Sequence, residues 1–286
     1  MSYSDYYWQM SEGKEKIQSE PLWHKYICEY YGVTESEALQ LGTRSAGRKP
    51  SLPGSVSCKP VSGLTMEEIW ASKPRDTIEG VYDFYVDQGA WSAFRQTVRH
   101  LELSHMRKQL MSRLVKPDSH VCEYGCGIAP FSQTLLQTVP ASWNLDVSVT
   151  DVDKSEHYVY GQWVLNKIIE ERGLTGATVH AHPAIPHQLP KYDKNIDLFI
   201  IFEVLEHVPS PTAVLNNVIE QMSPNALLIE NFVKHEEKHL DPGPDLESAI
   251  DEREEFYKVV NNNFSLLTPN SEEDDPNGTR VWVKMS

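Results

Sequence analysis

From about residue 105 onward, short apolar runs alternate with stripes of helical period. Val121 and Cys122 form an apolar run that meets Glu123 and then two glycines one residue apart, Gly125 and Gly127. A helical stretch follows, with Pro130 in its first turn and Phe131, Leu135 and Val139 on one face. Leu145, Val147 and Val149 alternate as a half-buried strand does, and that strand ends in Asp151, with Asp153 two residues later. The helical period returns in Tyr160, Val164 and Ile168 and closes at Gly173. Ile196–Phe202 is then a nearly continuous apolar run, which fits a central parallel strand covered on both faces. Ser210 as cap and Pro211 as first residue open another helix, with Val214, Leu215, Val218 and Met222 inside. A strand over Leu227–Ile229 comes next, and Phe264–Leu267 and Arg280–Met285 pair around the acidic turn 272–278.

The first hundred residues read differently. Residues 1–18 are polar and Tyr-rich and predict an arm or lid. Residues 20–31 predict an aromatic helix ended by Gly32, and Thr34 with Glu37 forms a capping box for a short helix ended by Gly42. A long Gly/Ser/Pro-rich loop spans 42–63. Thr65 with Glu68 is a second capping box, and residues from about 76 to 115 read as helical. No internal repeat is visible. The division expected is a helical N-terminal extension over 1–104 and an α/β domain over 105–286.

Strand, glycine turn, helix is how an α/β sheet turns backbone N–H groups and a helix N-terminus toward a ligand. Glycine serves there because a Cβ would keep the ligand off the backbone. An acidic residue ending the second strand can accept hydrogen bonds from both hydroxyls of a ribose.

Taken in order, Glu123-Tyr-Gly-Cys-Gly127 and Phe202-Glu-Val-Leu-Glu-His-Val-Pro209 resemble the motifs of the class I S-adenosylmethionine-dependent methyltransferases. The likeness is to the branch with the ubiquinone-pathway O-methyltransferases and many natural-product enzymes, and it covers roughly residues 105–286. It implies a Rossmann-like, doubly wound, seven-stranded sheet with one antiparallel strand. It also implies S-adenosylmethionine as cofactor, held by Glu123, Tyr124, Gly125, Cys126, Gly127, Asp151, Val152, Phe202 and Glu203. The ribose role goes to Asp151, at the strand end, in preference to Asp153, which aligns with a Gly-Val-Asp variant of the motif. Three positions depart from the family pattern. Ala129 replaces a third glycine, a change tolerable at negative φ. The stretch from Val179 to Ile185 lacks the acidic residue usual near the adenine, leaving His182, Ala184 or Ile185 to line the base. Ser223-Pro-Asn-Ala226 replaces a Pro-Gly-Gly turn.

The extension is expected to close over the acceptor, excluding water and aligning it with the methyl donor. Tyr82–Tyr85 and Trp91–Arg95 are the stretches expected in that lid, most of their aromatics being core of the extension, and Arg95 is a candidate for the methionine carboxylate. Transfer to a hydroxyl needs a base, and histidine titrates near neutrality. His207, in the second motif, and His235 and His239, after the fifth strand, are the candidates. Glu203, Glu206 and His207 with His235 or His239 also resemble the metal site of the small-RNA 2′-O-methyltransferases. The same string occurs in members for which no metal is invoked, so a divalent ion is possible and not favoured.

Composition narrows the substrate. The formal net charge is −15, which repels a polyanion; the cluster Arg44, Arg48, Lys49 and Lys59 reads as a solvated loop. A content of 40% hydrophobic residues with seven Trp and thirteen Tyr is that of a globular protein. No run approaches the roughly 18–20 apolar residues of a membrane span, and the start of the chain does not resemble a signal peptide. Cys28, Cys58, Cys122 and Cys126 fit no zinc spacing and suit reduced thiols of a cytoplasmic protein. The reading is a methyltransferase for a small polar metabolite, at oxygen. Its alternatives are N-methylation of a small amine and a catalytically silent binding or scaffold protein, with RNA 2′-O-methylation disfavoured by charge. Oligomeric state is not legible.

Overall fold

A computed structural model describes residues 22–43, 66–74, 77–233, 245–268 and 278–286. The N-terminal helices are α1 (Lys25–Tyr31), α2 (Glu35–Thr43), α3 (Met66–Ala71), α4 (Ile78–Asp87), α5 (Ala90–Arg99) and α6 (Ser104–Leu114), with one 3₁₀ turn, His100–Leu103, before α6. The α/β part follows as β1 (His120–Tyr124), α7 (Pro130–Thr138), β2 (Leu145–Thr150), α8 (Glu156–Arg172), β3 (Ala177–Ala181) and β4 (Ile196–Phe202). After a 3₁₀ turn, Leu205–His207, come α9 (Pro211–Ile219), β5 (Met222–Asn231), α10 (Glu247–Asn263), β6 (Phe264–Leu266) and β7 (Arg280–Lys284).

The seven strands form one sheet in the order β3-β2-β1-β4-β5-β7-β6, parallel except where β7 runs antiparallel to both neighbours. This is the Rossmann-like, doubly wound arrangement. Its order reverses between β1 and β4, so their carboxyl ends open a crevice at the switch point, where such sheets take ligands.

Successive residues of a strand point to opposite faces, so each strand feeds two cores. Val121, Val147, Leu198 and Ile229 pack on one face with Leu135 and Val164. Cys122, Phe199, Ile201 and Leu228 pack on the other with Val214, Val218 and Phe256. Each fully buried large side chain contributes roughly 1.5–3 kcal/mol. The N-terminal helices join both layers. Ile27, Tyr31 and Phe94 lie in the first core, and Trp70 and Phe84 in the second. Residues before 104 therefore share their hydrophobic core with the sheet.

Several sequence expectations hold at residue level. Thr34 and Glu37 exchange reciprocal capping bonds: the Thr34 N–H donates to Glu37 Oε2 (2.8 Å) and the Glu37 N–H to Thr34 Oγ1 (3.3 Å). Gly32 and Gly173 end α1 and α8 in the left-handed region. Others need correction. Strand β2 is buried at every position: Leu145, Val147 and Val149 lie in the first core, and Asp146, Ser148 and Thr150 meet Lys194, His120 and Tyr192 on the other face. Met222 begins β5 and is not part of the preceding helix. Ser210 makes no cap; its hydroxyl donates to Glu252 of α10, whose Oε2 also accepts the Thr212 N–H. The reading omitted α10 altogether. The 1–18 arm, Thr65, most of the 42–63 loop and the acidic turn 272–277 fall outside the described residues.

A candidate cofactor and acceptor cavity

The crevice at the carboxyl ends of β1 and β4 widens into a cavity of about 990 Å3. Its wall contains all nine residues of the expected cofactor set, from Glu123 through Gly127, Asp151, Val152, Phe202 and Glu203. The glycine turn owes its shape to backbone freedom. Gly125 and Gly127 hold φ of +61° and +54°, where a side chain is strained. A Cβ at Gly125 would stand 2.4 Å from the Val204 methyls, and one at Gly127 would stand 2.1 Å from Gln96 Oε1. Ala129 also adopts a left-handed φ of +57°, contrary to the negative φ under which the replacement was judged tolerable. The chain accepts there a cost of about 1–2 kcal/mol that glycine would avoid.

Glu123 faces the cavity, yet its carboxylate is committed to the N-terminus of α7. Oε1 accepts the Phe131 N–H (3.2 Å), and Oε2 accepts the Ser132 N–H (2.8 Å) and hydroxyl (2.6 Å). It thus satisfies N–H groups that the helix leaves unpaired, which fixes the exit angle of the glycine turn. Burial nevertheless raises its pKa to about 7, against the opposing pull of the Ser132 and Phe131 donors and Arg107. The folded protein therefore binds this proton more tightly than the unfolded chain does. Its contribution to stability is complete below the ordinary value of 4.5 and is lost as pH rises through about 7. Melting curves should show wild type losing stability relative to Glu123→Gln between about pH 5 and 7.5. Parallel curves would refute the assignment.

Asp151 is buried with both oxygens engaged. Oδ2 accepts the Gly127 N–H (2.6 Å), and Oδ1 accepts the Val152 N–H (2.7 Å) and faces His157 Nε2 (3.2 Å). The carboxylate so ties the end of β2 to the glycine turn, and two oxygens with four lone-pair directions leave acceptor capacity for a diol. Asp153 pairs loosely with Lys154 (3.7 Å), and its side chain is about half exposed, outside the cavity wall. Of the residues expected to line the base, Ala184 is part of the cavity wall, whereas His182 and Ile185 are not. His182 instead meets Ser148 Oγ (3.2 Å) beneath the sheet edge.

Glu203 directly follows β4 with φ of +54°, a strained value for a side-chain-bearing residue. Its N–H donates to Asn231 Oδ1 (2.6 Å), and its carboxylate accepts from Arg99 Nη2 (2.5 Å) of α5. A second bond from the same helix, Gln96 Oε1 to the Ile128 N–H (3.0 Å), covers the glycine turn. Tyr82, Tyr85, Arg95, Gln96 and Arg99 of α4 and α5 all line the cavity, so the N-terminal helices form part of its wall. Trp91, Phe84 and Phe94 are buried core instead.

His207 lies in the same wall. Its Nδ1 stands 3.1 Å from Asp245 Oδ1, and its Nε2 stands 3.7 Å from Glu206 Oε1. Glu206 is 4% exposed; burial raises its pKa, and Oε2 has no hydrogen-bond partner among the described residues. Sequence reasoning missed Asp245, Gln96 and Arg99. They lie far from the motifs in the chain, and nothing in their local pattern marks them. His235 and His239 lie outside the described residues, so their positions do not enter the site. Among the described residues no cluster of three or more His, Cys, Asp or Glu side chains is placed to hold a metal ion. No described helix is long and apolar enough to cross a membrane.

The donor set suits S-adenosylmethionine. The Asp151 and Glu203 carboxylates in the wall would suit a diol and a cation, and Val152 and Ala184 would offer apolar surface to a flat base.

Residues 96–247, more than half of the chain, match the family model described as a methyltransferase domain. Solved structures of similar fold include the pyocyanin biosynthetic protein PhzM, at 12% identity over 71% of this chain and 61% of that one, with a TM-score of 0.48. An O-methyltransferase family protein from Burkholderia thailandensis matches at 12% identity over 92% and 70%, TM-score 0.46. The magnesium protoporphyrin IX methyltransferase ChlM from Synechocystis, solved with bound SAH, matches at 17% identity over 66% and 84%, TM-score 0.44. The chain thus spans about three fifths of PhzM. No curated protein sequence matches it.

Proposed function

The chain belongs to the class I S-adenosylmethionine-dependent methyltransferases, and from that premise we propose that it methylates a small polar metabolite at oxygen. The observation that carries this reading is the His207–Asp245 pair, 3.1 Å apart, in the wall of the cavity that holds the glycine turn. When bound, S-adenosylmethionine supplies an activated methyl group for in-line transfer. The protein's tasks are then to position the acceptor, exclude water and take a proton. Asp245 lies close beside Nδ1, and Nε2 is the nitrogen that would accept the proton of an acceptor hydroxyl. Gln96 and Arg99, over the glycine turn and Glu203, help to keep solvent from the reacting centre. Small-molecule sites run to about 300–1,000 Å3, so a cavity of this size has room for cofactor and a small acceptor together. With a net charge of −15 and several carboxylates in its wall, it is poorly suited to a nucleic-acid backbone.

One observation favours N-methylation as a second reading. The buried Glu206 carboxylate, with one unpartnered oxygen, suits an amine better than a neutral hydroxyl. Methyl-labelled cofactor offered with pooled small metabolites, and in parallel with total RNA, tests the proposal. Label is expected in an O-methylated small molecule. Label on nitrogen would select the second reading, and label confined to RNA would overturn both.

A further inference from the structure

The glycine turn offers a ligand fewer free donors than its sequence suggests. The Gly127 N–H donates to Asp151 Oδ2 (2.6 Å), and the Ala129 N–H to the Cys126 carbonyl (2.6 Å). At the start of α7 the Phe131 and Ser132 N–H groups donate to Glu123. The Ile128 N–H donates to Gln96 Oε1 of α5 (3.0 Å). Every backbone N–H from Gly127 to Ser132 is therefore spent inside the protein, Pro130 having none. Gln96 returns a donor to the cavity. A backbone N–H can only donate, so the end of the amide that meets Ile128 is its oxygen, and Nε2 with its two protons is the other end. Nε2 makes no hydrogen bond among the described residues, and the half-buried side chain is part of the cavity wall. The amide lies close against the turn: a Cβ at Gly127 would stand 2.1 Å from its oxygen and 3.2 Å from Nε2. The arginines of the cavity wall, Arg95 and Arg99, come from the same helix on either side of Gln96.

S-adenosylmethionine carries one anionic group, its α-carboxylate; the ammonium beside it is a donor and makes no hydrogen bond with an amide N–H. We propose that Gln96 is a cofactor-binding residue whose Nε2 donates to that carboxylate, passing the donor spent at Ile128 on to the ligand. Asp151, which takes the Gly127 N–H, then serves the ribose, and Gln96, which takes the next N–H, serves the amino-acid end. A helix outside both sequence motifs so completes the cofactor site, and the N-terminal helices hold the methyl donor as well as walling the acceptor space. The assignment rests on S-adenosylmethionine being the cofactor.

The test is calorimetry of the full chain with two ligands, S-adenosylmethionine and its decarboxylated analogue, which lacks only that carboxylate. Wild type should bind S-adenosylmethionine roughly tenfold or more tighter than the analogue. Gln96→Glu keeps an oxygen for the Ile128 N–H but replaces the donor with a negative charge. It should weaken S-adenosylmethionine binding roughly ten- to a hundredfold and leave the analogue's affinity undiminished. Gln96→Met, which lacks both amide functions and strands the Ile128 N–H, should weaken both ligands, S-adenosylmethionine the more. Melting curves identify any variant that fails to fold, and Gln96→Met carries the test if Gln96→Glu does. A preference for the carboxylate that persists unchanged in the folded variants, or loss of both ligands by one factor, would overturn the proposal and leave Gln96 as a prop of the turn. Equal affinity of wild type for the two ligands would overturn it as well. Binding of neither by wild type would remove the cofactor reading itself, and the proposal with it.

Discussion

Asp151→Ala should weaken S-adenosylmethionine binding by about 2–4 kcal/mol, or roughly 30- to 1,000-fold in Kd. Two effects add. A ribose loses its charge-assisted acceptors, and the Gly127 N–H loses the 2.6 Å bond that holds the glycine turn against β2. The variant also leaves the buried His157 Nε2 without its Asp151 partner, so its melting temperature should fall, and affinity must be read on the folded fraction. Asp153→Ala is the control: its exposed side chain lies outside the cavity wall and should change binding by less than about 0.5 kcal/mol. The reverse pattern, with Asp153→Ala losing the cofactor, would move the ribose two residues along the chain.

His207→Ala should lower turnover by about 100- to 10,000-fold while leaving cofactor affinity near that of wild type. The separation follows from the partners in the wall: His207 stands beside Asp245 and Glu206, whereas the Asp151 carboxylate is bound to the glycine turn. Asp245→Asn should reduce turnover in the same direction and by less, since it loosens the imidazole without removing it. Calorimetry and single-turnover rates, measured with the acceptor found in the metabolite screen, check both numbers. A His207→Ala variant that turns over at the wild-type rate would remove the base from the mechanism and leave positioning alone.

What could be read from the sequence was what a short stretch encodes by itself. The Val121–Gly127 strand and turn, the apolar run Ile196–Phe202 and the capping box at Thr34 each carry their own structural signal, and the seven-stranded sheet with one antiparallel strand followed from the family resemblance. The errors arise where distant residues decide. The alternation of Leu145, Val147 and Val149 suggests a half-buried strand, but His120, Tyr192 and Lys194 cover the second face of β2. Ser210 looks like a cap until Glu252, 42 residues on, supplies the acceptor instead. Met222 fits the helical stripe, but its backbone pairs with Ile196. The charged helix Glu247–Asn263 shows too weak a stripe to stand out, although Phe256 and Val260 bury against the sheet.

The candidate site divides the same way. The cofactor residues on the two motifs follow from the family resemblance, and the cavity gathers them. Asp245, Ser92, Gln96 and Arg99 reach it only through tertiary packing, and His157 reads locally as one more residue of an amphipathic helix. Glu123 was legible as part of the turn but not as the cap of α7, a role that needs the three-dimensional course of the chain.

Isothermal titration of the full chain with S-adenosylmethionine bears most directly on the claim that the cavity between β1 and β4 is a cofactor site. One site per chain is predicted, saturable and competed by S-adenosylhomocysteine. A flat titration of well-folded protein, across the pH range in which it remains folded, would contradict it.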